Sequence, residues 1–155
     1  MAKLYGHQRR HDRAVTIREM TRDDLTVLPG LLAQLGYDIP ANEVRRRFDM
    51  VDAAPDHELI VAETAGRLVD MVHVYFRPAI EKPPQAVVQA LVVDTNGRRA
   101  GVGRALMAAA EHWARERDLG SVALSSQIQR DDAHAFYARL GYRQTATSHA
   151  LQKAL

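Results

Sequence analysis

A chain of 155 residues, 46% hydrophobic and 26% charged, has the size and balance of one globular domain with its own core. Its formal net charge of +2 is too small to argue for nucleic acid, and no apolar run reaches the roughly 20 residues that cross a membrane. With no cysteine, it has no disulfide, no thiolate metal site and no cysteine-linked covalent intermediate.

The first 13 residues are polar and basic, with Lys3, Arg9, Arg10 and Arg13 against Asp12. They read as a mobile tail without a signal-peptide core, so the expected location is cytoplasmic. His7 and His11 read there as solvated residues, and no metal site is expected. Residues 14–155 are then one domain. Val15–Glu19 reads as the first strand. Thr21, Asp23 and Asp24 start a helix in which Leu25, Leu28, Leu31, Leu32 and Leu35 repeat at helical spacing until Gly36. Pro40-Ala41-Asn42 opens a second helix with Val44, Phe48 and Val51 on one face. Two strands, His57–Glu63 and Arg67–Phe76, are joined by Thr64-Ala65-Gly66.

A loop with three prolines spans Pro78–Pro84, and Val87–Val93 is apolar enough for a central strand. A helix is expected over Val102–Arg117, a short strand over Ser121–Ser125 and a helix over Asp131–Leu140, closed by Gly141. Tyr142–Lys153 reads as a last extended segment. The order β-α-α-β-β-β-α-β-α-β predicts an α/β fold, a mixed sheet with helices on both faces.

The central strand runs into Arg98-Arg99-Ala100-Gly101-Val102-Gly103-Arg104 and then a helix. The first amides of a helix lack internal partners, the helix dipole favours an anion there, and glycine lets the backbone approach a ligand. The stretch therefore reads as a phosphate-holding loop. A Walker loop is excluded for want of Gly-Lys-Ser/Thr, and a dinucleotide fingerprint because Leu106 stands where its third glycine belongs.

A second motif follows in Arg130–Tyr142. Ala133, Phe136, Tyr137 and Leu140 share one helix face, which alone reads as core packing. Together, the two segments resemble the GNAT superfamily of acetyl-CoA-dependent N-acetyltransferases. Arg98, Gly101 and Gly103 fit its Gln/Arg-x-x-Gly-x-Gly/Ala signature, and Leu91-Val92-Val93 fits the strand end before it. Ala133, His134, Phe136, Tyr137, Gly141 and Tyr142 fit its later helix pattern.

The resemblance implies a sheet splayed at the cofactor site and acetyl transfer to a primary amine of a small molecule by direct attack in a ternary complex. Leu91, Val92 and Val93 would line the pantetheine. Arg98, Arg99, Ala100, Gly101, Val102, Gly103 and Arg104 would hold the pyrophosphate, although the family usually has a basic residue where Ala100 stands. Tyr137 matches the family's general acid. Many relatives carry a glutamate base where Gln89 stands; His73 and Glu81 are the other candidates, each more simply read as structural or solvated. The acceptor side is expected between Leu35–Phe48 and Arg77–Gln85. A non-catalytic acyl-CoA sensor and an acetyltransferase for protein N-termini or lysines are the alternatives, and a homodimer is compatible with the pattern.

Overall fold

Six strands lie side by side in chain order. They are β1 (Leu4–Arg10), β2 (Arg13–Glu19), β3 (His57–Thr64), β4 (Arg67–Arg77), β5 (Gln85–Val93) and β6 (Val122–Leu124). The first five pair antiparallel, and β6 joins β5 in parallel. A parallel neighbour needs a crossover, supplied here by the helix α3 (Val102–Arg115). Between β2 and β3 stand a 3-10 turn at Arg22–Thr26 and the helices α1 (Leu28–Gln34) and α2 (Ala41–Asp52); α4 (Asp131–Arg139) follows β6. The computed structural model describes residues 1–10, 13–34, 36–93 and 101–155, without the side chains of 7–10, 13 and 34.

The mixed sheet has helices on both faces. On one face Val61, Met71 and Val92 pack with Leu28 and Leu31 of α1 and with Val44 and Phe48 of α2. Val61 pairs with Met71 and Met71 with Val92, so these side chains form one row across three strands. On the other face, alternation along β3 places Glu58 and Ile60 toward α3. Leu106, Met107, Ala110 and Trp113 of α3 are fully buried, and Trp113 Nε1 donates to Glu58 Oε2 at 3.1 Å. The chain forms two compact units, Met1–Ser125 and Ser126–Leu155. No helix among the described residues is long and apolar enough to cross a membrane.

Three expectations are corrected. Leu4–Arg10 is a strand, not a tail: its backbone pairs with β2, and Tyr5 sets its ring edge-on to His112 of α3. The segment reads as polar because it is a sheet edge, where charge is common. The single helix expected from Thr21 to Gly36 is broken in two. Pro29 has no N–H to return to the carbonyl of Leu25, so a continuous α-helix cannot pass through it unbroken. Finally, no strand forms over Tyr142–Lys153 among the described residues. That segment alternates small and polar residues and has no large apolar row to bury.

Candidate functional site

β5 is interrupted near its middle. His73 of β4 faces Ala90 and Val74 faces Val88, so Gln89 is an extra residue without a partner. Such a bulge bends the strand and re-aims its backbone. On the other side β6 follows β5 only through Ala86↔Val122, Val87↔Ala123 and Val88↔Leu124. Pairing stops one residue before the bulge. Among the described residues no strand runs beside Gln89–Val93 on that side, so the main chain of β5 is open there while β4 holds its other edge.

The crossover returns at Gly101, which adopts the left-handed conformation (φ 73°, ψ 12°) as the cap of α3. A side chain at this φ is strained, and glycine removes the conflict. Ala105 N–H bonds back to the carbonyl of Gly101 at 3.1 Å, so Val102, Gly103 and Arg104 supply the first-turn amides that lack acceptors within the helix. No acidic side chain stands in that turn. Val102 and Gly103 are buried and Arg104 is exposed.

The sheet face under α1 and α2 carries a polar cluster. His57 Nδ1 and His73 Nε2 are 2.9 Å apart, and Tyr75 stacks on His57 with ring centroids 5.1 Å apart. Burial, reinforced by the charge of His57, pushes the His73 imidazole down to about 4. A neighbouring cavity of about 120 Å³ is lined by Leu28, Leu32, Ile39, Phe48, Leu59 and Met71, with Arg47 at its edge. On α2, Arg46 and Arg47 both bond Glu43 at 2.8 Å.

In the second unit, α4 buries one stripe. Ala133, Phe136, Tyr137 and Leu140 are half-buried while their neighbours are exposed. Tyr137 packs edge-on against Phe136 and Tyr142, at 5.2 and 6.0 Å between centroids. Gly141 (φ 91°) turns the chain, and Tyr142 N–H bonds the carbonyl of Tyr137 at 3.0 Å. Burial raises the Tyr137 phenol above its ordinary value, against a smaller opposing effect of Arg130.

The acetyltransferase (GNAT) family model matches residues 18–142. The chain belongs to that family. An aminoglycoside N(6')-acetyltransferase of Stenotrophomonas maltophilia is 31% identical over 138 residues, covering 85% of this chain and 88% of that protein. An uncharacterized N-acetyltransferase of Bacillus subtilis is 38% identical over 78 residues, 50% of this chain and 54% of its own length. This chain thus spans about half of that relative. Among solved structures, a transcriptional regulator from Bacillus halodurans superposes with a TM-score of 0.80 at 28% identity, covering 90% of this chain and 99% of that one. An aminoglycoside N-acetyltransferase crystallised with CoA superposes with a TM-score of 0.84 over 96% of this chain and all of that one; at 18% identity it speaks to fold alone.

Several of the residues expected from the GNAT pattern lie in the first unit. Leu91, Val92 and Val93 end β5 past the bulge, and Gly101, Val102, Gly103 and Arg104 open α3. Arg98, Arg99 and Ala100 lie outside the described residues. Tyr137 belongs to the second unit. Glu81 is exposed beside Lys82. Sequence reasoning named His73 but missed its pairing with His57. It also missed Asp70, a fully buried carboxylate on β4 opposite Val93.

Proposed function

We propose that this chain transfers the acetyl group of acetyl-CoA to a primary amine of a small molecule, by direct attack within a ternary complex. The observation that carries the reading is the parting of β5 from β6 at Gln89, upstream of a glycine-capped helix start. The residues present fit such a cosubstrate. The amides of Val102, Gly103 and Arg104, which have no acceptor within the helix and no acidic side chain in their turn, suit a diphosphate. The open edge of β5 from Gln89 to Val93 suits an amide-bearing arm that bonds as an added strand would. Arg98, Arg99 and Ala100 complete the diphosphate loop in this reading.

Acetyl-CoA supplies the activated acyl carbon. The chain supplies orientation, main-chain donors beside the β5 opening, and a proton for the departing thiolate from Tyr137. With no cysteine to carry the acetyl group, the amine attacks directly. The matched region, residues 18–142, runs through both compact units, which supports one transferase domain. The relative named for aminoglycosides supports a small amine as acceptor. Gln89, an amide at the bulge, is the feature that favours the second reading, a non-catalytic acyl-CoA sensor.

The test is release of free thiol from acetyl-CoA with a panel of small amines, alongside calorimetry of acetyl-CoA binding. Turnover supports the enzyme. Tight binding with no turnover supports the sensor.

A further inference from the structure

We propose that His73 accepts the proton of the acceptor amine and passes it to His57, the two imidazoles working as one unit beside the β5 bulge. The proposal rests on the acetyltransferase reading. Its starting point is geometric. His73 stands directly across from Ala90, the first paired residue after Gln89, so it borders the place where β5 opens. Directly opposed residues of an antiparallel pair lie on one face. His73, His57 and Tyr75 therefore share the face covered by α1 and α2, next to the cavity bordered by Leu59 and Met71.

The 2.9 Å contact joins Nδ1 of His57 to Nε2 of His73. One ring donates and the other accepts, so with both rings neutral one outer nitrogen keeps a lone pair. When His73 donates, that nitrogen is its Nδ1. A proton arriving at Nδ1 makes His73 cationic. The bridging proton then moves from His73 Nε2 to His57 Nδ1. His73 ends neutral, and His57 carries the charge against the face of Tyr75, where a cation is favoured. His57 Nε2–H releases a proton to water, which leaves the pair neutral with both tautomers exchanged. Before the next turnover His57 Nε2 regains a proton from water, the bridging proton returns to His73 Nε2, and His73 Nδ1–H gives its proton to water.

In the group transfer the amine nitrogen forms a bond to the acyl carbon and the carbon–sulfur bond breaks. The sulfur leaves with the electron pair and is protonated. The nitrogen, positive once bonded to carbon, is far more acidic than a free ammonium, so an imidazole suffices to take its proton.

The surroundings favour relay over storage. Burial and the charge of His57 both oppose a lasting cation on His73. Among the described residues, several charged groups on this face are engaged elsewhere. From α2, Arg46 and Arg47 bond Glu43. From β2 and β3, Arg18 and Glu63 bond each other, and Arg18 also holds Asp24 of the 3-10 turn. Arg77 of β4 donates to Gln85 of β5. Tyr75, a third titratable ring, packs beside both imidazoles.

The test compares the full-length parent, His73→Gln and His57→Gln across about pH 5 to 9, reading thiol release and, separately, CoA binding. His73→Gln is expected to lower kcat by roughly 10²-fold or more, with the CoA dissociation constant unchanged and the acid limb gone. His57→Gln is expected to lower kcat less and to move the acid limb to lower pH, because His73 then titrates alone. An unchanged kcat and an unchanged acid limb in His73→Gln would overturn the proposal while leaving the enzyme reading intact. Binding without turnover by the parent, with every amine, would overturn both.

Imidazole ¹⁵N resonances of the parent give a readout independent of activity and of how the variants fold. A coupled titration, with His73 neutral while His57 charges, supports the pair; two independent titrations at ordinary histidine values overturn it.

Discussion

Trp113 Nε1 donates to Glu58 Oε2 at 3.1 Å, and this bond ties β3 of the sheet to α3, the helix that Gly101 caps. Trp113 is fully buried, and the Arg117 guanidinium lies 3.9 Å above its ring. Trp113→Phe removes both volume and donor and is expected to cost about 2–3 kcal/mol in chemical denaturation.

Glu58 itself opposes folding when ionised. Burial, then the charge of Glu19, raises its carboxyl above the usual range, against the hydrogen bond from Trp113. The folded state therefore keeps a proton that the unfolded chain has already lost. Its contribution declines as pH rises from the unfolded carboxyl value, about 4.3, through the higher folded value. Glu58→Gln keeps an acceptor for Trp113 and removes the charge. Denaturation midpoints of Glu58→Gln should fall less than those of the parent as pH rises through that interval, and should be equal or higher at neutral pH.

Asp24 works in the opposite direction. Burial alone would raise its carboxyl, but the paired 2.8 Å bonds from Arg18, with the Thr21 amide also at 2.8 Å, outweigh it and hold the value low. Its stabilisation is complete above the unfolded aspartate value of about 3.9 and is lost as pH falls through the lower folded value. Asp24→Asn is expected to cost about 2–3 kcal/mol at neutral pH, because Arg18 and the Thr21 amide lose a charged partner. The same variant should show a weaker acid dependence than the parent.

Gly101 separates backbone conformation from ligand binding. A Cβ there meets nothing within 4 Å among the described residues, but φ is 73°. Gly101→Ala is expected to cost about 1 kcal/mol of stability and to bind acetyl-CoA somewhat more weakly. Gly101→Asp places a carboxylate over the amides of Val102 and Gly103, where it neutralises the helix start and repels a diphosphate. Calorimetry should show acetyl-CoA binding weakened by roughly 100-fold or more, with the fold retained.

Tyr137→Phe removes a hydroxyl and little else, since the ring still packs against Phe136 and Tyr142. Steady-state kinetics should show kcat reduced by roughly 10- to 100-fold at unchanged acetyl-CoA affinity. The raised phenol also places any basic limb due to Tyr137 above the ordinary value of about 10.

Much of this architecture was legible because it rests on local patterns. The half-buried stripe of α4 is the i, i+3, i+4, i+7 set Ala133, Phe136, Tyr137 and Leu140, and the glycine-capped start of α3 follows from Gly101. The histidine pair was not legible, because it depends on a bulge. Counted straight from the turn pair Thr64–Arg67, His57 would face Val74 and lie on the opposite face from His73. Val69 is an extra residue in β4, which moves the partner of His57 to Tyr75 and brings both imidazoles to one side. Gln89 does the same to β5. Residue alternation alone does not reveal an inserted residue. The N-terminal strand was missed because an edge strand needs no apolar face, and the C-terminal strand was expected from chain order that Arg143–Leu155 does not follow.

The most direct measurement is the stoichiometry of thiol release and N-acetylated product when the chain meets acetyl-CoA and a panel of small amines. The account predicts one acetylated amine per thiol, with both lost in Gly101→Asp. Binding of acetyl-CoA by the parent with no amine acetylated, or equal turnover in Gly101→Asp, would contradict it.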